Sequence, residues 1–208
     1  MESTGKMENT GKGKRVYLED PPIARALFSD VRFAWVWVIL RVYVGYEWLE
    51  AGLEKVGNPA WMSTGEGLKS YWARAVAIPA QGKPPITYDW YRGFLQSLLD
   101  SGSYTWFAKL VVFGEIAVGL ALILGAFVGI AALFGALMNL NFMLAGSAST
   151  NPVLLMVAGL LLLAWKTAGY WGLDRLILPA LGTPWHAGFL IRRVDEAARE
   201  ARPVASET

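Results

Sequence analysis

Between residues 104 and 172 the chain carries only three charges, Lys109, Glu115 and Lys166. The rest of that stretch is apolar, small or aromatic, and it divides into three long runs. A helix needs roughly 20 apolar residues to cross the hydrocarbon core of a bilayer, so the region has room for about three crossings. Composition agrees with this distribution. Hydrophobic residues make up 54% of the chain and charged residues 17%, whereas a soluble domain carries about 25% charge. The expectation is an all-α integral membrane protein.

Several chemistries are excluded at once. The chain has no cysteine, which removes structural disulfides, iron–sulfur ligation, thiolate metal sites and a CxxC redox couple. His186 is the only histidine, so neither a bis-His haem nor a His-rich zinc site can be built. No metal, haem or iron–sulfur cluster is therefore expected, and redox chemistry would have to run on a bound organic carrier or on a partner. The formal net charge of +2 and the lack of a basic stretch interleaved with aromatics argue against nucleic acid.

Along the chain, residues 1–18 are polar and Gly-rich and read as a flexible basic arm. They are not a signal peptide, since no apolar run follows the charges, and the Gly5–Lys12 spacing departs from a phosphate loop. Asp20-Pro21-Pro22 introduces a helical pattern lying at the membrane interface. The first span is placed at residues 33–56, although Arg41, Glu47, Glu50, Glu54 and Lys55 interrupt it. Residues 57–103 form a long connection with short helical patterns near 67–77 and 88–99, broken by Gly and Pro at 82–85. Its Trp and Tyr density suits the membrane–water boundary. The remaining spans are placed at 104–124, 127–146 and 153–172, and a charged tail occupies 186–208.

Basic residues flank this four-span domain, taken as residues 19–185, on both sides. Lys6, Lys12, Lys14, Arg15, Arg25 and Arg32 precede the first span, and Arg175, Arg192, Arg193, Arg199 and Arg202 follow the last. The positive-inside rule then puts both termini in the cytoplasm of a multi-pass cell-membrane protein, with the 57–103 connection outside. An even number of spans is required, and four satisfies it.

An ionisable side chain within hydrocarbon is costly and usually faces the bundle interior with a partner. At 100° per residue, Arg41, Gly45, Trp48, Gly52 and Lys55 fall within about ±40° of one line on the first span. Glu47, Glu50 and Glu54 cluster on roughly the opposite side. Arg41 and Glu115 are each placed near the middle of their spans, so a buried Arg41–Glu115 pair is expected. Lys109 and Lys55 lie closer to the outer face, and Asn139 and Asn141 mid-to-outer in the third span. The same residues admit a purely structural reading in which ion pairs and Asn side chains only join helices. Lys55 and Lys166 would then snorkel, and Gly45, Gly52, Gly114 and Gly119 would serve helix packing.

The runs LRVYVGYEWLEAGLEK (residues 40–55) and VVFGEIAVGLALILG (111–125) resemble the DoxX/DoxD family of small membrane proteins. The stretches ITYDWYRGFL, NFMLAGSASTNPVL and LLLAWKTAGYWGLDR are similar, more narrowly, to the DoxD-type large subunit of thiosulfate:quinone oxidoreductase. The resemblance covers about residues 22–185. It implies a four-helix membrane protein that oxidises two thiosulfates to tetrathionate and passes the electrons to membrane quinone. It also implies a small DoxA-type partner subunit, since no part of this chain looks like a separate DoxA domain. Carried onto matching charged positions, it makes Arg41, Glu47, Glu50 and Glu115 candidate catalytic residues.

Physical requirements add candidates for binding. Thiosulfate is a dianion and needs fixed positive charge reachable from water, which Lys55, Lys109, Arg74, Lys83, Arg92 and the polar turn at 147–151 offer. A quinone needs an apolar slot with a few polar groups, which Arg41, Glu115, Asn139 and Trp48 would supply, with Asn141 nearby and Glu47 or Glu50 as proton relay. Two other readings compete: a non-catalytic anchor or assembly subunit of a redox complex, and an anion or sulfur-compound transporter. Transport ranks lowest, because no inverted repeat or pair of broken helices is visible.

Overall fold

The computed structural model describes residues 20–182, all of them in helices and connecting turns. The expected arm at 1–18, the tail at 186–208, His186 and most of the flanking basic residues lie outside that range. In chain order the helices are α1 (Pro22–Ser29), a 3-10 turn (Val31–Phe33), α2 (Ala34–Val56), α3 (Pro59–Met62), α4 (Glu66–Val76) and α5 (Asp89–Asp100). They continue with α6 (Tyr104–Leu124), α7 (Val128–Leu144), α8 (Asn151–Leu163), α9 (Trp165–Ala168) and α10 (Asp174–Ala180). The all-α expectation holds among the described residues. The segment expected at 104–124 is a helix with those limits, and those expected at 33–56 and 127–146 differ by at most two residues at an end.

The most extensive helix–helix interface joins α2 to α6. Small residues let the two backbones approach closely. A Cβ placed on Gly119 would lie 2.6 Å from the Leu49 amide nitrogen, and one on Gly45 would lie 2.9 Å from the Gly119 carbonyl oxygen. Gly52 closes on Ile116 in the same way, at 2.6 Å. Gly114 differs from the other three. It faces Met138 of α7 at an ordinary 3.5 Å, so it is no part of this close crossing.

Two apolar clusters stabilise the chain. The larger joins α2, α6, α7, α8 and α9 through Trp37, Val44, Trp48, Leu122, Val128 and Leu161. A smaller one lies at the far end, where α4 and α5 of the long connection dock through Leu68, Trp72, Ile86, Tyr91 and Leu95. The expected inward stripe of α2 is correct: Arg41, Gly45, Trp48 and Gly52 are all buried. Trp37, Val44 and Ala34 complete that face.

The last apolar segment departs from expectation. The sequence predicts a helix over 153–172, but α8 ends at Leu163, Ala164 breaks it, and α9 stops at Ala168. Thr167 explains part of this. Its hydroxyl donates to the Phe28 carbonyl at 3.1 Å and is also within 3.1 Å of the Ala164 carbonyl, which ties α9 to α1. Beyond it the chain turns back through Gly169 and Gly172, and the amides of Leu173 and Asp174 bond the carbonyls of Leu124 and Gly125. That docking requires Gly172, since a Cβ there would strike the Gly125 Cα at 2.7 Å.

By length and composition α6 can cross a membrane, and it is the one described helix that meets both conditions. α7 and α8 are apolar but shorter. Large apolar side chains stand exposed on the outside of α2, α6, α7 and α8, among them Ile39, Leu53, Phe113, Ile130, Phe134 and Met156.

Candidate functional site

Arg41 sits at one end of the bundle rather than at its middle. Its Nη1 donates to the carbonyls of Leu122 at 2.5 Å and Ile123 at 2.7 Å, and its Nη2 donates to that of Trp171 at 3.0 Å. Leu122 and Ile123 lie in the last turn of α6, where carbonyls run short of intrahelical donors. Leu122 also accepts from the Gly125 amide at 3.2 Å, and Trp171 lies in the turn after α9. A guanidinium there also opposes the negative end of the α6 dipole. Gly125 has to be glycine at this point. It holds φ +68°, and a Cβ would lie 2.8 Å from the guanidinium.

Asp174 performs the matching task for the next helix. Its carboxylate, 1% exposed, accepts from the amides of Phe127 at 2.5 Å and Val128 at 2.9 Å, where α7 begins. It therefore acts as an N-cap supplied from 46 residues along the chain. Phe127, held in the left-handed region at φ 49°, is fixed by this bond. Arg41 and Asp174 are close enough for their charges to act on each other. Together they secure both sides of the α6–α7 turn.

The expected Arg41–Glu115 pair does not form. Glu115 lies seven residues before Leu122 on α6, about 10 Å farther along the helix at 1.5 Å per residue. Its partner is Lys55, whose Nζ is 2.9 Å from Oε1 and 2.8 Å from Oε2. The same ammonium donates to the Ala51 carbonyl at 2.9 Å and lies over the Trp61 ring. Lys55 thus turns back into the bundle instead of extending outward. Helical phase places Lys55 on the inner stripe, and it does lie in the last turn of α2. It does not snorkel outward, because a lysine stem can reach about a turn in either direction and Glu115 draws it inward.

Asn139 is fully buried, and among the described residues neither its amide nitrogen nor its amide oxygen has a hydrogen-bond partner. The indole nitrogen of Trp48, a residue 3% exposed, has none either.

A separate apolar cavity of about 660 Å³ runs between α6 and α7 and is covered at its outer end by α4 and α5. Phe107, Phe134, Met138 and Phe142 line it, and Tyr71, Tyr91 and Asn141 bring its polar atoms. Tyr91 donates to the Asn141 backbone carbonyl at 3.0 Å and meets its side-chain oxygen at 3.2 Å. Tyr71 donates to the Phe142 carbonyl at 3.4 Å. Burial pushes the Tyr91 phenol up to about 12 and raises that of Tyr71 as well. Both phenols therefore stay protonated donors.

None of Arg41, Glu115, Asn139 or Trp48 lines this cavity, so the slot expected from those four is not where the open space lies. Asn141 is the one sequence candidate on its wall. Tyr71 and Tyr91 were missed. Their aromatic, amphipathic surroundings were visible in the sequence, but which bundle groove α4 and α5 would cover was not.

The cationic candidates do not converge. Arg92 is committed to Asp89 at 2.5 Å and to the Ile86 carbonyl at 2.6 Å, pinning the loop before α5. Lys55 is committed to Glu115. Lys109, Arg74 and Lys83 are exposed on three different elements or loops. On the outer side of α2, Glu47 is half-buried while Glu50 and Glu54 are exposed, and the Tyr46 hydroxyl donates to Glu50 at 3.3 Å. Among the described residues no group of Asp, Glu and His is arranged to hold a metal.

Comparison with known protein families, with curated proteins and with solved structures finds no match for this chain.

Proposed function

We propose that this chain is a four-span membrane subunit that binds a quinone in the α6–α7 cavity, as part of a thiosulfate:quinone oxidoreductase. The cavity carries the reading. Its volume of about 660 Å³ lies within the range of small-molecule sites, roughly 300–1,000 Å³. Its wall is apolar except for Tyr71, Tyr91 and Asn141 at the outer end. That combination suits a ring carrying two carbonyl oxygens and an apolar tail.

The membrane setting has its own support. A belt of exposed large apolar residues surrounds α2, α6, α7 and α8, which water would not favour over so many contiguous positions. α2 has 23 residues, or ~34 Å at 1.5 Å per residue. α8, with 13 residues, covers ~20 Å by the same rise, and α9 carries the chain on past the break at Ala164. In the orientation expected from flanking charge, Arg41 and Asp174 lie at the cytoplasmic end and α4 and α5 at the outer face.

In this reading the quinone supplies the two-electron acceptor. Tyr91 and Tyr71 bound the outer end of the cavity with hydroxyls that donate to the Asn141 and Phe142 carbonyls, and a quinone oxygen would draw on either donor by displacing that bond. Phe134, Met138 and Phe142 supply its apolar wall. The thiosulfate half rests on the resemblance of the DoxD-like runs, because the exposed cations do not gather into one anion site. A DoxA-type partner would supply what this chain lacks.

One observation favours the anchor reading instead. Arg41, Asp174, Lys55 and Glu115 are each bonded internally, as purely structural charges would be. Purification with and without co-purifying partners, followed by an assay of thiosulfate-dependent quinone reduction, separates the two. Activity in the partnered preparation that disappears in Met138→Trp supports the oxidoreductase; no activity in either preparation supports the anchor.

A further inference from the structure

The α6–α7 cavity is long, polar at one end and open along one side. Its α6 wall runs from Phe107 to Ala121, ~21 Å at 1.5 Å per residue. Its α7 wall runs from Ala145 back to Phe127, ~27 Å by the same rise. Val118 and Ala131, at 6% and 5% exposed, form the floor. Leu110, Ile130 and Phe134, each 56% exposed, stand along the rim, and Ala117 is exposed as well. The space therefore opens sideways between α6 and α7. Tyr71, Tyr91 and Asn141 sit at the outer end, whereas from Gly114 to Ala121 on α6 and from Phe127 to Met138 on α7 every lining residue is apolar. Among the described residues, none that lines the cavity is charged.

Each of these features excludes a class of occupant. A charged head, whether thiosulfate, a carboxylate or a phosphate, would enter an apolar space with no opposite charge to meet it. A helix of a partner protein is about 10–12 Å across with its side chains. It has no room to lie along the groove, because Met138 bridges it: the Met138 sulfur lies 3.5 Å from the position of a Cβ on Gly114. The cover of α4 and α5 closes the outer end to a helix as well. A compact ring without a tail would fill only the polar end, leaving Ala117, Ala121, Phe127 and Ile130 without a neighbour. What fits is a small neutral head on a single extended apolar chain. Met138 suits the passage between the two, since an unbranched thioether can repack around a chain.

We propose, resting on the same membrane reading of the cavity, that its ligand is a single-chain amphiphile with an uncharged head, taken sideways from the bilayer through the opening between α6 and α7. The head lies against Tyr71, Tyr91 and Asn141. The chain runs inward along α6, past Ala117, to the turn at Phe127. Direction is thereby fixed, with the head at the outer end and the chain end at the level where α6 stops. A prenyl quinone meets this description, and so does a prenyl alcohol. Fatty acids and phospholipids do not, because their heads are charged. Any thiosulfate site of this chain or its partner lies elsewhere.

The test uses the full chain in lipid nanodiscs and three probes that share one prenyl chain ending in a photoreactive diazirine. Their heads are a quinone, a primary alcohol and a carboxylate. The quinone and alcohol probes should label the stretch from Ala121 to Ile130, and the carboxylate should displace neither. Ala117→Phe should abolish that labelling. Ala117 is exposed, so the variant should melt close to the unsubstituted protein. Ala121→Leu supplies a second block nearer the inner end, so a folding defect in one variant leaves the other to decide. Chain-end labelling at Tyr91 or Phe107, labelling spread over the outer faces of the bundle, labelling that survives both blocks, or displacement by the carboxylate would overturn the proposal. Failure of the quinone reading looks different. Alcohol labelling at Ala121–Ile130 that no quinone displaces keeps the chain route and removes the quinone. Quinone rings caught at Tyr91 with their chain ends outside the groove keep the quinone and remove the route.

Discussion

Two levels of α2 bury charge in different ways. At the level where α6 ends, Arg41 bonds three backbone carbonyls and Asp174 bonds two backbone amides, so each charge closes a helix terminus. Fourteen residues along, Lys55 and Glu115 bond mainly to each other. A charge that serves backbone atoms has a task that the fold itself defines. A side-chain pair has no such task. The first region is therefore a fastening of the α6–α7 turn, and the second is a polar centre that braces α2 against α6.

The sharpest way to break this contrast is at the fastening. Arg41→Leu strands the carbonyls of Ile123 and Trp171, leaves Leu122 with the Gly125 amide alone, and leaves Asp174 without its nearby cation. A loss of about 3–5 kcal/mol is expected, as when one member of a buried charged network is removed. Thermal or denaturant unfolding in detergent would register it, and a near-neutral result would mean that the carbonyls find other donors.

The polar centre should respond less steeply and, unlike the fastening, should be rescuable. Glu115→Leu leaves Lys55 facing an apolar wall and should cost roughly 2–3 kcal/mol, reduced because Lys55 is 21% exposed. Combining it with Lys55→Met should restore most of that loss, since replacing both partners by apolar groups is often nearly neutral. Equal destabilisation in the single and double variants would show that the pair carries more than its mutual attraction.

At the cavity mouth the effect should be smaller and dependent on pH. Tyr91→Phe removes one buried hydrogen bond, worth about 1 kcal/mol. The folded phenol titrates at about 12 against an ordinary 10.0, so the neutral form is favoured by folding. Its contribution is whole below pH 10 and is lost as pH rises from 10.0 towards about 12. Spectrophotometric titration of the wild type should show a late phenolate that Tyr91→Phe lacks. Smallest of all, Glu50→Gln on the exposed side of α2 should leave the melting temperature unchanged.

Helical phase and apolar run length carried much of the fold. They placed α2, α6 and α7 within two residues and put Arg41, Trp48, Gly45 and Gly52 on the buried face. Depth was harder to read. Arg41 looked central because its span was measured from Phe33, yet its height is set by where α6 ends, and no local pattern in α2 reports that. The break at Ala164 was hidden for a similar reason, since it depends on Thr167 meeting Phe28 some 139 residues earlier. The cavity was the least visible feature, because it arises between α6 and α7 under a cover of α4 and α5.

The central claim, that this cavity holds a quinone, is best tested by cross-linking with a photoreactive quinone in nanodiscs and mapping the labelled residues. Labelling at Phe134, Met138 or Tyr91, competed away by unmodified quinone and lost in Met138→Trp, is the predicted result. Labelling confined to the outer stripe of α2 around Tyr46 and Glu50, or none that quinone competes away, would contradict it.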